Sequence, residues 1–238
     1  MLIISIKMST FLKDLFKDLY SNYTKYIIVI IISFFIYLIF IENCHRLRGD
    51  KVYLKYKDLK NYINTGDLIL FSSEDYIGKV IRRVTDSYYS HCGIVIKQDS
   101  KLYILECDMD TSYDFITNKI NRNGVHIISL DDKINEYTGN IFGLCKVRKT
   151  FDKSHLKSLI EEYKDIAFNN NLFAMYGSVI KNKNYSRYLL NDNKMFCSEF
   201  VSNIYCKLNL IKRCNSANMY TPKDISNLFK ETIFFKKN

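Results

Sequence analysis

Ser90-His91-Cys92-Gly93-Ile94-Val95-Ile96-Lys97 is followed by the polar tripeptide Gln98-Asp99-Ser100 and then by Lys101-Leu102-Tyr103-Ile104-Leu105-Glu106-Cys107. The two apolar, β-branched runs on either side of a turn predict neighbouring strands, His91–Lys97 and Lys101–Cys107. Successive side chains on a strand point to opposite faces, so Cys92 is expected to enter the core while His91 faces a cleft. Glu106 closes the apolar run Leu102–Leu105, near the strand end that corresponds to His91. An imidazole–carboxylate hydrogen bond between them is geometrically reasonable, with Asp108 and Asp110 as alternative carboxylates.

Working outward, Gly66-Asp67 opens Leu68–Phe71, which reads as a buried strand after a turn. Ser72 or Ser73 is placed to cap a following helix whose apolar face is Tyr76, Ile77, Val80, Ile81 and Val84. Downstream, Val125–Leu130 and Ile141–Lys146 read as further strands. His126, between Val125 and Ile127, is expected on the solvent face. Leu156, Leu159, Ile160, Tyr163, Ile166 and Ala167 then form a helical stripe that begins near Asp152 or Ser154. A polar loop over Asn182–Lys194 delivers the chain to Phe196-Cys197-Ser198-Glu199. From there Phe200, Val201, Ile204, Tyr205 and Leu208 mark one helix face, which puts Cys197 at a helix N-terminus.

That position matters because the thiolate is the nucleophile, and the unpaired N–H groups and positive dipole end of a helix lower a thiol's pKa. The same N–H groups could hold the oxyanion formed when a carbonyl is attacked. A base is needed, and the chain has four His: His45, His91, His126 and His155. His91 is the one placed by the strand pattern. A metal site made from His91, Cys92, Glu106, Cys107 and Cys197 is disfavoured by strand alternation and by the lack of zinc-ligand spacing. Walker A, Rossmann glycine and C-x-x-C patterns are missing as well, so no cofactor and no metal are expected.

The N-terminal part is of another kind. Tyr26–Ile41 is sixteen residues long with Ser33 as its only strongly polar member and Lys25 and Glu42 at its edges. At 1.5 Å per residue it reaches roughly 24 Å, and Tyr23 and Thr24 can extend it into the interface. An uncleaved transmembrane signal anchor is expected, since no small-x-small cleavage site follows. Lysines 7, 13, 17 and 25 precede it, whereas Arg46, Arg48, Lys51, Lys55, Lys57 and Lys60 follow. This balance turns the C-terminal body toward the cytosol. Residues 1–25 are read as an N-terminal segment with an amphipathic stretch over Thr10–Tyr20, 26–41 as the span, 42–60 as a juxtamembrane linker, and 61–238 as the catalytic domain.

The whole chain has 238 residues, 47% hydrophobic and 15% aromatic, which suits one folded domain plus an appendage and excludes disorder for most of it. One Pro and eight Gly exclude collagen-like and linker classes, and seven Cys are too few and odd in number for a disulfide scaffold. A reducing compartment is expected. The net charge of +10 favours anionic surfaces. Its lysines are nevertheless scattered and no aromatic-interleaved RNA motif occurs, so no specific nucleic-acid partner is expected.

Gly66-Asp67-Leu68-Ile69, Ser90-His91-Cys92-Gly93-Ile94-Val95, Leu105-Glu106, Phe196-Cys197-Ser198-Glu199-Phe200-Val201 and Thr221-Pro222-Lys223-Asp224 together resemble permuted NlpC/P60 proteins. More narrowly, the chain resembles the YiiX/YaeF branch of permuted papain-like amidases, which has poxviral relatives. The resemblance covers roughly Asn61–Phe229. It implies an α+β, circularly permuted papain-like fold in which an antiparallel β-sheet packs on helices. It also implies Cys197 as nucleophile, His91 as general base and Glu106 as the orienting residue of a cysteine amidase or peptidase. The family's usual H-V-G-I-V reads H-C-G-I-V here. Related lecithin:retinol acyltransferases act on lipids but carry N-C-E-H-F where this chain has F-C-S-E-F. The expected partners are thus a peptide amide or a lipid ester as substrate and a membrane through one helix. A catalytically silent module that binds peptide or lipid in the same cleft is the remaining alternative.

Overall fold

The computed structural model describes residues 24–31, 33–34, 53–109, 112–115, 119–121, 123–171, 175, 177–179, 193–211 and 219–238. The chain divides into two compact units, Met1–Asp50 and Lys51–Asn238. In the first, residues 24–31 and 33–34 are helical and their large apolar side chains are exposed. No helix among the described residues is long and apolar enough to cross a membrane. The transmembrane helix expected over Tyr26–Ile41 is thus described only in part. Its remainder and the stretch Thr10–Tyr20 lie outside the described residues.

The second unit runs β1 (Leu54–Lys55), α1 (Tyr56–Leu59), β2 (Leu68–Ser72), α2 (Tyr76–Val84), β3 (His91–Gln98), β4 (Lys101–Asp108), β5 (Ser112–Asp114), β6 (Lys119–Asn121) and β7 (Gly124–Ser129). It continues with α3 (Leu130–Glu136), β8 (Ile141–Cys145), α4 (Lys153–Tyr163), β9 (Ala167–Phe168), β10 (Lys194–Met195), α5 (Cys197–Lys207), α6 (Pro222–Ser226) and β11 (Ile233–Lys236). Seven strands form the main sheet in the order β1-β11-β8-β2-β3-β4-β7. Its neighbours pair antiparallel except β1 with β11, which run parallel.

Both faces of this sheet are covered, which is why its central strands read as continuous apolar runs. Leu68, Leu70, Cys92, Ile94, Leu105 and Cys107 point into one cluster with Leu156 and Leu159 of α4 and Phe200, Val201 and Ile204 of α5. Ile69, Phe71, Val95, Leu102 and Ile104 point into the other, with Tyr56 and Leu59 of α1 and Leu130 and Ile134 of α3. Gly93 sits where β3 meets β4, and a Cβ there would fall 2.6 Å from the Ile104 side chain. At Gly66 the turn into β2 needs φ +93°, and a Cβ would strike the Phe151 ring at 2.5 Å.

Several local readings change in the fold. Ser72 stays in β2, paired with Ile141, so the cap of α2 passes to Asp75, whose carboxylate accepts the Gly78 N–H at 2.7 Å. The α4 helix ends at Tyr163, because Ala167–Phe168 pairs in parallel with Lys194–Met195. Residues 54–59, polar enough to read as linker, form β1 and α1, and Tyr56 and Leu59 bury in the core. The C-terminal Ile233–Lys236 enters the sheet between β1 and β8, where the buried Phe235 stacks on Phe142 at 5.2 Å. Of the loop over Asn182–Lys194, residues 182–192 lie outside the described residues.

Candidate active site

Cys197 is the first residue of α5, after Phe196 in an extended conformation that leaves the helix start without a side-chain cap. Three ties hold α5 and the residues before it in place. The Cys107 thiol donates to the Met195 carbonyl at 3.2 Å, Ser198 Oγ donates to the Tyr220 carbonyl at 2.7 Å, and the Tyr205 hydroxyl donates to the Gly66 carbonyl at 2.7 Å. Two motifs thereby acquire structural roles. Thr221-Pro222-Lys223-Asp224 forms a capping box with Pro in the first turn of α6, directly after Tyr220. The Asp67 carboxylate is buried, accepts the Asn64 and Val147 N–H groups at 2.8 and 3.0 Å, and pairs with the Lys146 ammonium.

His91, on the first residue of β3, is buried at 8% exposure rather than open to a cleft. Its Nε2 lies 2.6 Å from Glu106 Oε2 and 3.7 Å from Asp108 Oδ2. Cys197 lies near enough for its charge to act on the imidazole, and for the imidazole's charge to act on the thiol. Phe71 packs against the ring at 5.4 Å. Burial alone would lower the imidazole's pKa, but the charges of Asp108, Cys197 and Glu106 raise it well above the usual value. The Cys197 thiol moves the other way, down to about 5. A hydrogen bond from Cys92 is the largest cause, burial opposes it, and the charge and hydrogen bond of His91 add to the fall. The two shifts act in the same sense, favouring the thiolate of Cys197 and the imidazolium of His91.

Glu106 has no exposed surface and lies under a net of donors. Burial pushes its pKa up, but Lys133, His91 and His126 outweigh this and hold the carboxyl well below the usual range. Lys133 Nζ sits 2.9 Å from Glu106 Oε1 and 2.7 Å from Asp108 Oδ2. His126 Nε2 lies 3.2 Å from Glu106 Oε1, and its Nδ1 has no partner among the described residues. The expectation that His126 faces solvent is thus corrected. It is fully buried because α3 covers that face of β7, directly across from Glu106 in the strand register. Strand pairing could have found His126 once Glu106 was chosen. Lys133 had no local signal, being one charged residue in a short polar helix.

The structure thus brings Cys197, His91 and Glu106 together, with Asp108 at the edge, while Asp110 lies outside the described residues. Ligand atoms of His91, Glu106 and Asp108 lie within 4.8 Å of one another, a spacing a cation could use. The Lys133 ammonium already occupies that position between the two carboxylates. This donor set therefore does not fit a metal ion.

Two residues from Cys197, Glu199 is only 6% exposed. Burial pushes its carboxyl up to about 8, against a smaller opposite effect of the Phe196 N–H that it accepts. A folded value above the unfolded one means that stability is full below pH 4.5 and falls as pH rises toward 8. Glu199→Gln keeps the acceptor and removes the ionisation. Its stability advantage over wild type is expected to grow by about 3 kcal/mol between pH 5 and pH 8 in urea titrations. An advantage that does not change with pH would show that Glu199 ionises freely in the fold.

A profile of the permuted papain-like amidase family, YaeF/YiiX, C92, matches residues 62–227. The chain belongs to this family. It is therefore a papain-like cysteine amidase or peptidase, a hydrolase, and its mixed α+β fold suits the permuted papain-like architecture. An uncharacterized protein of Acanthamoeba polyphaga mimivirus is 24% identical over 189 residues, 71% of this chain and 73% of that one. This permuted amidase thus has a viral relative. The crystal structure of the metalloprotein YiiX from Escherichia coli O157:H7 superposes with a TM-score of 0.43 at 16% identity, covering 71% of this chain and 87% of that one.

Proposed function

We propose that this chain is a membrane-anchored thiol hydrolase that cleaves an amide bond through Cys197, His91 and Glu106. The observation that carries the reading is the buried Cys197–His91 pair, in which thiol and imidazole favour the thiolate and imidazolium forms. The Cys197 sulfur attacks the carbonyl carbon, and N–H groups at the start of α5 stabilise the oxyanion. The tetrahedral adduct collapses as His91 gives its proton to the leaving amine, leaving an acyl thioester on Cys197. Water then attacks that thioester, with His91 taking its proton. Glu106, hydrogen-bonded to Nε2, orients the ring and stabilises its charged form.

Residues 51–238 serve as the catalytic domain in this reading, the stretch before it from 42 as its tether, 26–41 as a single membrane span, and 1–25 as a segment at the membrane surface. The apolar run Tyr26–Ile41, helical and exposed where it is described, supports the anchor. The basic flank that follows supports a cytosolic catalytic domain.

The test is acylation of the full chain in membranes with peptide amides and with lipid esters, read as a thioester mapped to Cys197. Amide donors are expected to leave the adduct in wild type and none in Cys197→Ala. Transfer from lipid esters alone would replace the amidase reading by an acyl hydrolase or acyltransferase of the lecithin:retinol acyltransferase type. Saturable binding without an adduct would make the chain a silent binding module. Release of the same preparation by alkaline carbonate would remove the anchor.

A further inference from the structure

Neither core uses the apolar side of α2. Ile77, Val80, Ile81 and Val84 recur at helical spacing and share one side of the helix, yet none of them belongs to either buried cluster. The helix meets the body through another side. Gly78 is buried, and a Cβ there would lie 2.4 Å from Ser73 Cβ and 3.2 Å from Ser90 Oγ. One turn on, Arg82 Nη1 donates to Ser72 Oγ at 3.0 Å. The first turn is open to solvent, with Tyr76 60% and Ile77 43% exposed. An amphipathic helix whose apolar side stays out of the core points to a partner that covers it.

The charges on α2 indicate which partner. Between Tyr76 and Val84 the helix carries Lys79, Arg82 and Arg83 and no acid. Glu74, just before it, answers Lys79 at 3.9 Å and Arg82 at 3.5 Å. Arg83 Nε and Nη2 are buried with no hydrogen-bond acceptor among the described residues. Buried donors without an acceptor are costly, and a phosphate oxygen satisfies a guanidinium well. An Arg stem can lie along apolar surface while its head turns to a headgroup layer. The stretch Thr10–Tyr20 also offers apolar residues, but its two Lys and two Asp bring no net negative charge to these cations. An anionic bilayer brings both an apolar layer and phosphates.

We propose that α2 is a membrane-surface docking helix. Its apolar side enters the boundary between headgroups and acyl chains of an anionic bilayer, while Lys79 and Arg83 bind lipid phosphates. Ser90, against which Gly78 packs, directly precedes His91, so docking sets the start of β3 beside the headgroups. The docking rests on the helix itself, and the anchor of the proposed function only keeps a bilayer within reach.

The chain has no Trp, so a single introduced one reports only its own surroundings. Full-length Ile77→Trp is reconstituted with vesicles of phosphatidylcholine and phosphatidylserine whose acyl chains are brominated near the headgroup end. Its emission is expected to shift to the blue and to be quenched relative to unbrominated vesicles. Tyr76→Trp, a smaller change of shape, should behave alike. Phe115→Trp, at a site 46% exposed and bonded to the edge strand β7, should show neither effect. Added to Ile77→Trp, Lys79→Gln and Arg83→Gln should each raise the phosphatidylserine fraction needed for half-maximal quenching. Unquenched emission at the wavelength of an exposed Trp would overturn the proposal. A blue shift without quenching would also overturn it and give the helix to a protein segment such as Thr10–Tyr20. Equal quenching in Phe115→Trp, or quenching indifferent to phosphatidylserine, would each do the same. Alkaline carbonate applied afterwards separates docking from the anchor. Quenching followed by release keeps the docking and removes the anchor, and a chain that resists release without quenching does the reverse. A chain that never associates with the vesicles loses both.

Discussion

His91→Ala is expected to move the pH midpoint of Cys197 alkylation up from about 5 by about 2 units or more, toward the ordinary thiol value of about 8.5. The substitution removes the imidazolium charge that helps hold the thiol down, while burial, which pushes it up, remains. At pH 6.5 the thiolate then becomes the minor form, and labelling slows by about fourfold or more. Hydrolysis should suffer more, because the leaving amine loses its proton donor as well, a loss of about 10²–10⁴-fold on top of the thiolate deficit. Glu106→Gln separates the two contributions. It keeps an acceptor for Nε2 but removes the charge that favours imidazolium, so an intermediate midpoint is expected. If the His91→Ala midpoint stays near 5, the pair does not activate Cys197 and the acyl-enzyme mechanism loses its base.

The second large effect concerns the floor of the site. Lys133→Met is expected to destabilise the fold by about 3–5 kcal/mol at neutral pH in urea titrations, because it leaves the buried Glu106 and the half-buried Asp108 with their ammonium removed. His91 and His126 still contact Glu106, so the remaining charge is poorly rather than wholly uncompensated. The pH dependence gives an independent check. In wild type the folded Glu106 pKa is depressed, so its contribution is present above the unfolded value of 4.5 and is lost only as pH falls through the lower folded value. Without Lys133 the folded value rises, and the acid unfolding limb should move to higher pH. In the Lys133→Met, Glu106→Gln double variant the penalties should fall short of additive, since each residue is the other's partner. Strictly additive losses would place the two groups in separate environments.

Strand alternation in residues 90–107 was enough to separate Cys92 from His91 and to put Glu106 near the histidine, because a period of two needs no distant partner. In the same way Cys197 was legible at a helix start, since the apolar face from Phe200 to Leu208 declares the helix and the polar residues before it declare its end. The resemblance of five short motifs then singled out one histidine and one carboxylate from several candidates. The cap of α2 and the end of α4 were misplaced for a shared reason. A strand pairing with a distant segment, Ser72 with Ile141 and Ala167 with Lys194, overrode the local helical signal.

By itself, then, the sequence determined the strands around His91, the helix start at Cys197 and the apolar N-terminal run, all set by periodicities a few residues long. Only the tertiary structure decided that Lys133 and His126 meet Glu106, that Cys92 and Cys197 share one buried cluster, and that the C-terminal strand enters between β1 and β8. Each of these joins segments tens of residues apart. Which charge neutralises which, and which side chains share a core, depend on how strands and helices stack, and no local pattern of side chains encodes that choice.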